Sequence, residues 1–277
     1  MRFATLNLQG RTAAALNFET HYRLTPFDDV ASLLRGVEGD LSRAADLVLE
    51  DTVPLEEVSL APTVNTPSKI ICLGLNYADH IEEMGHGGEA YPTLFAKFPA
   101  ALTGPYDDIE IPSVTNAVDW EVELGVVIGK RARNVSAKQS HNHVAGFVVA
   151  NDVSMRDFQR RTSQFLQGKI FERSTPIGPD MVTPDEVDYA LDLRIVCSVD
   201  GKVMQSSRTS NMITSVADTI SYISQIITLE PGDLLLMGTP SGVGAGQTPP
   251  VFLGNDQIVH SYIEGVGELI NRFVSAK

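Results

Sequence analysis

The stretch Val118–Gly129, VDWEVELGVVIG, decides how the rest of the chain is read. Trp120, Val122, Leu124, Val126 and Ile128 recur at every second position, the period of a strand with one face in a core. Asp119, Glu121 and Glu123 take the opposite face, so Glu121 and Glu123 point the same way, about 6.5–7 Å apart along the strand. Two carboxylates so placed repel one another unless a cation, a proton or Lys/Arg donors lie between them. The run itself holds no Lys or Arg. A hard divalent ion held by carboxylate oxygens is the sharpest reading, and a strand with a solvated acidic face is the plain one.

Residues on either side of the run favour the metal. Ala145–Ala150 is apolar on both faces and ends in Asn151-Asp152. Ser154, with Asp157 three residues on, reads as the cap of a helix carrying Met155, Phe158 and Phe165 on one side, which leaves Asp152 free as a ligand. Upstream, the strand-like Lys69–Leu73 leads into Asn76-Tyr77-Ala78-Asp79-His80, with Glu83 three residues further. If this piece is helical, His80 and Glu83 share a face, and a His oriented by a carboxylate is a general base. Gly85, Gly87 and Gly88 suggest a mobile lid.

Farther out the signals are structural. Asp200-Gly201 joins Leu191–Val199 to Lys202–Gln205 as a hairpin, and Ile213–Ile227 is an amphipathic helix. Pro231-Gly232 turns into the buried-looking run Asp233–Met237, and Gly238-Thr239-Pro240-Ser241-Gly242-Val243-Gly244 can offer N–H groups and a hydroxyl to an anion. Its glycines do not follow a strand-to-helix GxGxxG frame, so a dinucleotide site is rejected. Residues 1–65 read as a small α+β domain: a hairpin turning at Gln9-Gly10-Arg11, then short helices from Asp29 and Leu41. A linker with two prolines, Ala61–Pro67, precedes a catalytic domain over 66–277.

Composition narrows the function. The 277 residues are 43% hydrophobic and 20% charged, as in an ordinary globular protein. Twenty-one Lys and Arg against 35 Asp and Glu leave a formal charge of −14, which argues against nucleic-acid and anionic-membrane partners. Cys72 and Cys197 sit in apolar runs without a ligand pattern, so zinc and disulfides are not expected. The N-terminus lacks an apolar signal region, so the expected compartment is the cytoplasm.

Five pieces, in order, resemble the fumarylacetoacetate hydrolase family: Asn76–His80 with Glu83, Glu121-Val122-Glu123-Leu124, Asn151-Asp152, Gly168-Lys169, and Gly238–Gly244. The resemblance spans about residues 69–273. It implies an α+β, β-rich mixed β-sandwich roll, Mg2+ or Mn2+ bound by Glu121, Glu123 and Asp152, and a homodimer. The larger family members carry a fourth metal carboxylate near the position of Leu73, so three protein ligands are expected here. The position after the motif lysine, often Ser in the family, is Ile170.

The resemblance carries a chemistry with it. A 1,3-diketo acid such as an acylpyruvate chelates a hard cation through its carboxylate and keto oxygens. His80 and Glu83 would activate water for C–C hydrolysis, the metal would hold the enolate, and Lys169 would stabilise the oxyanion. Tyr77, Gln159 and Thr239 resemble the family's substrate-binding positions. The substrate expected is a small anionic oxo acid from aromatic or sugar-acid catabolism. The alternatives are oxaloacetate decarboxylation, isomerisation of an unsaturated 2-oxo diacid of the 2-hydroxyhepta-2,4-diene-1,7-dioate type, and, from another class, a non-catalytic module in which the metal serves folding only.

Overall fold

The computed structural model describes residues 1–83 and 91–276. Its frame is a mixed sheet of eleven strands. Ten follow the spatial order Thr52–Pro54, His21–Leu24, Arg11–Asn17, Arg2–Leu8, Thr175–Val182, Val144–Asn151, Val122–Ile128, Leu234–Leu236, Ile70–Gly74 and Thr93–Lys97; Leu102–Thr103 pairs alongside Thr175–Val182. A second sheet contains Lys202–Arg208, Arg194–Val199, Ile258–Ile263, Gly267–Ser275 and Ile109–Ile111. The two pack face to face through Leu124, Val126, Phe147 and Val149 on one side and Ile195, Cys197, Val259 and Phe273 on the other. This is the β-rich α+β sandwich that the family resemblance implies.

The other face of the large sheet is covered too. Val127, Val148 and Leu236 pack against Val30, Leu33 and Leu34 of the helix Val30–Gly36. That helix begins where Asp29 Oδ1 accepts the Ser32 N–H at 2.7 Å, while Ser32 Oγ accepts the Asp29 N–H. The central strand Val122–Ile128 is therefore buried on both faces. Carboxylates on its odd-numbered face lie inside the protein, so the solvated acidic face is excluded.

The run Val118–Gly129 is two strands rather than one. Val118–Asp119 pairs with Ser154–Met155, and Val122–Ile128 with Val144–Asn151. Between them the ladder gives way to side chains: the Glu121 N–H goes to Asn151 Oδ1 and the Val122 N–H to Gln205 Oε1. Ser154 caps no helix; its hydroxyl donates to the Asp152 carbonyl, and the next helix, Arg156–Gln159, is a single turn.

Residues 1–65, expected as a small separate domain, add their strands to the large sheet. Arg2–Leu8 pairs antiparallel with Thr175–Val182, and Phe3 and Leu16 share an apolar cluster with Ala145 and Met181. The expected linker is anchored as well. Val64 is buried, Thr63 Oγ1 donates to the Pro179 carbonyl at 3.0 Å, and Asp29 Oδ2 accepts the N–H groups of Asn65 and Thr66.

Candidate active site

Glu121 lies just before the central strand, Glu123 at its start, and Asp152 just past the end of its neighbour. The pairing of Val122 with Asn151 brings Asp152 level with Glu121, and the Asp152 N–H donates to the Glu121 carbonyl at 2.9 Å. One oxygen from each of the three carboxylates lies within 4.8 Å of the others, and all three residues are buried.

The donors missing from the central run arrive from elsewhere. Lys169 Nζ is 2.6 Å from both Glu121 Oε2 and Asp152 Oδ2. Lys97, at the end of the strand Thr93–Lys97, places Nζ 2.5 Å from Asp152 Oδ1. Arg156 reaches Glu121 Oε1 through Nη1 at 2.6 Å and Asp119 Oδ2 through Nε at 2.7 Å. Burial alone pushes the Glu121 carboxyl up, but Arg156 and Lys169 outweigh it and hold the group down at about 2.

Glu123 is different. Among the described residues it makes no ion pair, and Oε2 accepts one hydrogen bond, from the Gly238 N–H at 2.8 Å. Burial, then the charges of Asp152 and Glu121, raise its carboxyl well above the ordinary range. A buried carboxylate short of positive charge, beside two others and with no His or Cys in the set, fits a hard divalent cation. Leu73, where larger family members place a fourth carboxylate, is apolar and lines the same cleft.

The His80–Glu83 pair forms as the spacing requires. Both lie on the short helix Ala78–Glu83, with His80 Nδ1 3.0 Å from Glu83 Oε2. A carboxylate there favours the tautomer protonated at Nδ1 and leaves Nε2 as a base. Glu83 Oε1 accepts the Gly242 N–H at 2.9 Å, and Asp79 Oδ2 accepts from Ser241 Oγ at 2.9 Å. Gly242 has φ +103°, and a Cβ there would lie 1.9 Å from the Met204 carbonyl oxygen, so only glycine lets this loop close on Glu83. The lid glycines Gly85, Gly87 and Gly88 lie outside the described residues.

His80, Glu121, Glu123, Gln159, Lys169 and Thr239 line one cleft of about 420 Å³. The four expected substrate contacts each have surroundings of their own. Lys169 is committed to two carboxylates rather than standing free beside a substrate. The Thr239 hydroxyl donates to the Val122 carbonyl and accepts from Gln205 Nε2. Tyr77 does not line the cleft: it is fully buried, its strand-like bridge is to Met212, and burial and the charge of Glu123 raise its phenol pKa. Gln159 lines the cleft while Oε1 accepts from Arg156 Nη1 at 2.9 Å.

Four structural partners carry no such role in the sequence reading: Asp119, Lys97, Arg156 and Asn76. Asp119 accepts from the N–H groups of Trp120, Gly244 and Ala245 as well as from Arg156. Asn76 holds the His80 segment in place, donating to the carbonyls of Met237 and Thr214 and accepting the Thr214 N–H. The signal for the cations was indirect: clustered acids need counter-charges, but the ladder that supplies them is long-range.

A β-sandwich roll with an acidic triad on its central strands and a His–Glu pair at the rim marks a fumarylacetoacetate hydrolase-type enzyme, and the chain belongs to that family. The model described as fumarylacetoacetate (FAA) hydrolase C-terminal matches residues 69–274. Among curated relatives, the mitochondrial oxaloacetate tautomerase FAHD2A of Bos taurus is 46% identical over 224 residues, 80% of this chain and 71% of that protein. Its Homo sapiens counterpart is 44% identical over the same shares. Among solved structures, a fumarylacetoacetate hydrolase from psychrophilic Exiguobacterium antarcticum is 33% identical with a TM-score of 0.87, covering all of both chains. A 2-hydroxyhepta-2,4-diene-1,7-dioate isomerase from Mycobacterium marinum is 31% identical with a TM-score of 0.80, over 99% of this chain and 98% of that one. The mitochondrial names of the relatives lend no support to a cytoplasmic compartment. No helix among the described residues is long and apolar enough to cross a membrane.

Proposed function

We propose that the protein catalyses proton transfer at the carbon beside the keto group of a 2-oxo acid, as an oxaloacetate-type tautomerase using Mg2+ or Mn2+. One observation carries the reading: the base His80 and the carboxylates Glu121 and Glu123 face the same cleft. A divalent cation held by Glu121, Glu123 and Asp152 would supply the positive charge that makes enolisation of a 2-oxo acid easier. His80 Nε2 takes the proton from C3 or returns it, and Glu83 keeps Nδ1 protonated and stabilises the imidazolium between the two steps. Lys169 fixes Glu121 and Asp152 in one arrangement, and Gln159 offers its amide to the substrate's oxygens.

Hydrolysis of an acylpyruvate, the activity first read from the sequence, would use the same base on water. The Bos taurus and Homo sapiens relatives, each matching 80% of this chain, are named for tautomerisation, and the proposal follows them. Its test is the ultraviolet decay of enol-oxaloacetate with purified protein and Mg2+. A rate at least tenfold over the buffer and metal control is expected; no acceleration would refute the reading, and release of acid from acylpyruvates would restore the hydrolase.

A further inference from the structure

The cleft carries a cation that the proton chemistry does not use. Arg160 lines its mouth and is exposed, and among the described residues it forms no ion pair. The other two basic lining residues, Arg156 and Lys169, are buried and committed to Asp119, Glu121 and Asp152. The neighbour Arg161 is also engaged, with Cζ 3.3 Å above the Phe158 ring, and it does not line the cleft. Arg160 follows Arg156 by four residues across the single turn Arg156–Gln159, and its N–H donates to the Arg156 carbonyl at 3.1 Å. Their Cβ atoms are therefore neighbours one helical turn apart, about 5–6 Å, with Arg156 buried and Arg160 exposed.

Charge shows what that guanidinium is for. Counted at formal charge, the carboxylates of Asp119, Glu121, Glu123 and Asp152 exceed Lys97, Arg156 and Lys169 by one, and a divalent cation held there would leave the floor one positive charge. That balances a monocarboxylate but not a dianion. We propose that Arg160 is the specificity-determining residue of the cleft, binding the far carboxylate of a short 2-oxo dicarboxylic acid whose 2-oxo end lies over Glu121, Glu123 and Asp152. A guanidinium presents two parallel donors to a carboxylate, and Thr162 and Ser163 continue the same rim. The assignment rests on the proposed 2-oxo acid chemistry and adds the second charge to it.

The test reads binding, so that it stands apart from turnover. Malate and 2-hydroxybutyrate differ chiefly in the second carboxylate, and neither enolises. Calorimetric titration of both, with Mg2+, is made on the wild type, Arg160→Gln and Arg160→Lys. The wild type is expected to prefer malate by about 10- to 100-fold, the worth of a charge-assisted hydrogen-bonded pair. Arg160→Gln should bring that preference to within about threefold of unity, and Arg160→Lys should keep part of it. A wild type without preference, or a preference that survives Arg160→Gln, overturns the assignment. Failure of the tautomerase reading would appear separately, as absence of enol-oxaloacetate decay with a wild type that still prefers malate.

Discussion

The floor and the rim of the cleft are built in opposite ways. At the floor, Glu121, Glu123 and Asp152 hang from paired strands at the centre of the large sheet, and Lys97, Lys169 and Arg156 lock two of the three. At the rim, His80 and Glu83 ride on the six-residue helix Ala78–Glu83, tied to the next loop by the Gly242 N–H and the Ser241 hydroxyl. Like charges must be held together at the floor, and only a scaffold that cannot relax will do it. A base at the rim has to exchange protons and needs little scaffold. Substitutions at the floor should therefore act on stability and metal binding together, and those at the rim on rate with little change in stability.

The sharpest break in this contrast would come from His80. His80→Ala is expected to lower tautomerisation by about two to four orders of magnitude, the usual weight of general base catalysis, with metal affinity nearly unchanged because the imidazole is outside the acidic triad. Glu83→Gln should reproduce a weaker version, since it only orients and polarises the ring. Steady-state kinetics beside calorimetric metal titration measures both; joint loss of rate and metal binding would move His80 to the floor. Lys169→Met is the counterpart. Two buried carboxylates lose their shared cation, and loss of one partner from a buried pair costs about 3–5 kcal/mol. Thermal unfolding should show a drop of roughly 6–20 °C for a chain of this size, and a melting temperature within a degree of wild type would contradict the locking role.

The contrast also explains what the sequence could disclose. Period-2 alternation placed Glu121 and Glu123 on one face, and the i, i+3 spacing joined His80 to Glu83, because both relations are local. The partners Lys97 and Arg156 are invisible to such patterns: they lie 55 and 35 residues from the acids they serve, and only the sheet brings them in. The division at residue 65 missed the same kind of pairing, since Arg2 meets Val182 across the chain. The break at Trp120–Glu121 was hidden for a different reason. A side-chain amide, Asn151, takes the place of a ladder partner without disturbing the alternation.

Glu123 gives the floor a pH signature of its own. Its folded-state carboxyl is raised above the ordinary 4.5, so it favours the folded state at low pH and loses that contribution as pH rises and the group ionises without a counter-charge. Glu121, held at about 2, behaves oppositely: its stabilisation is present above 4.5 and lost as pH falls towards 2. In metal-free protein at pH 8, Glu123→Gln should therefore raise stability by about 1–2 kcal/mol, near the lower end of the burial cost of an unsatisfied charged group, and the gain should vanish by pH 4. Magnesium should raise the melting temperature of the wild type more than that of the variant, because the variant lacks one of the three carboxylates proposed to hold the ion. Melting curves at pH 4, 6 and 8, with chelator or excess Mg2+, decide it; a variant less stable than wild type at pH 8 would show that Glu123 is already neutralised from within the protein.

The smallest effect tests whether the rim's few ties matter to the rate at all. Ser241 Oγ donates to Asp79 Oδ2 at 2.9 Å, and with the Gly242 N–H on Glu83 this bond ties the helix Ala78–Glu83 to the loop after Met237. Ser241→Ala removes one hydrogen bond at the surface and leaves the neighbouring backbone bond in place. A partly exposed bond of this kind has a net worth of about 0.5–1 kcal/mol. If the tie positions His80, that energy should appear as a two- to fivefold fall in kcat. The melting temperature should move by no more than about 2 °C, because the bond removed is exposed. Restoring the hydroxyl with Ser241→Thr should recover most of the rate. A variant that loses stability but keeps its rate would put the rim in the same class as the floor, and the separation between the two regions would not hold.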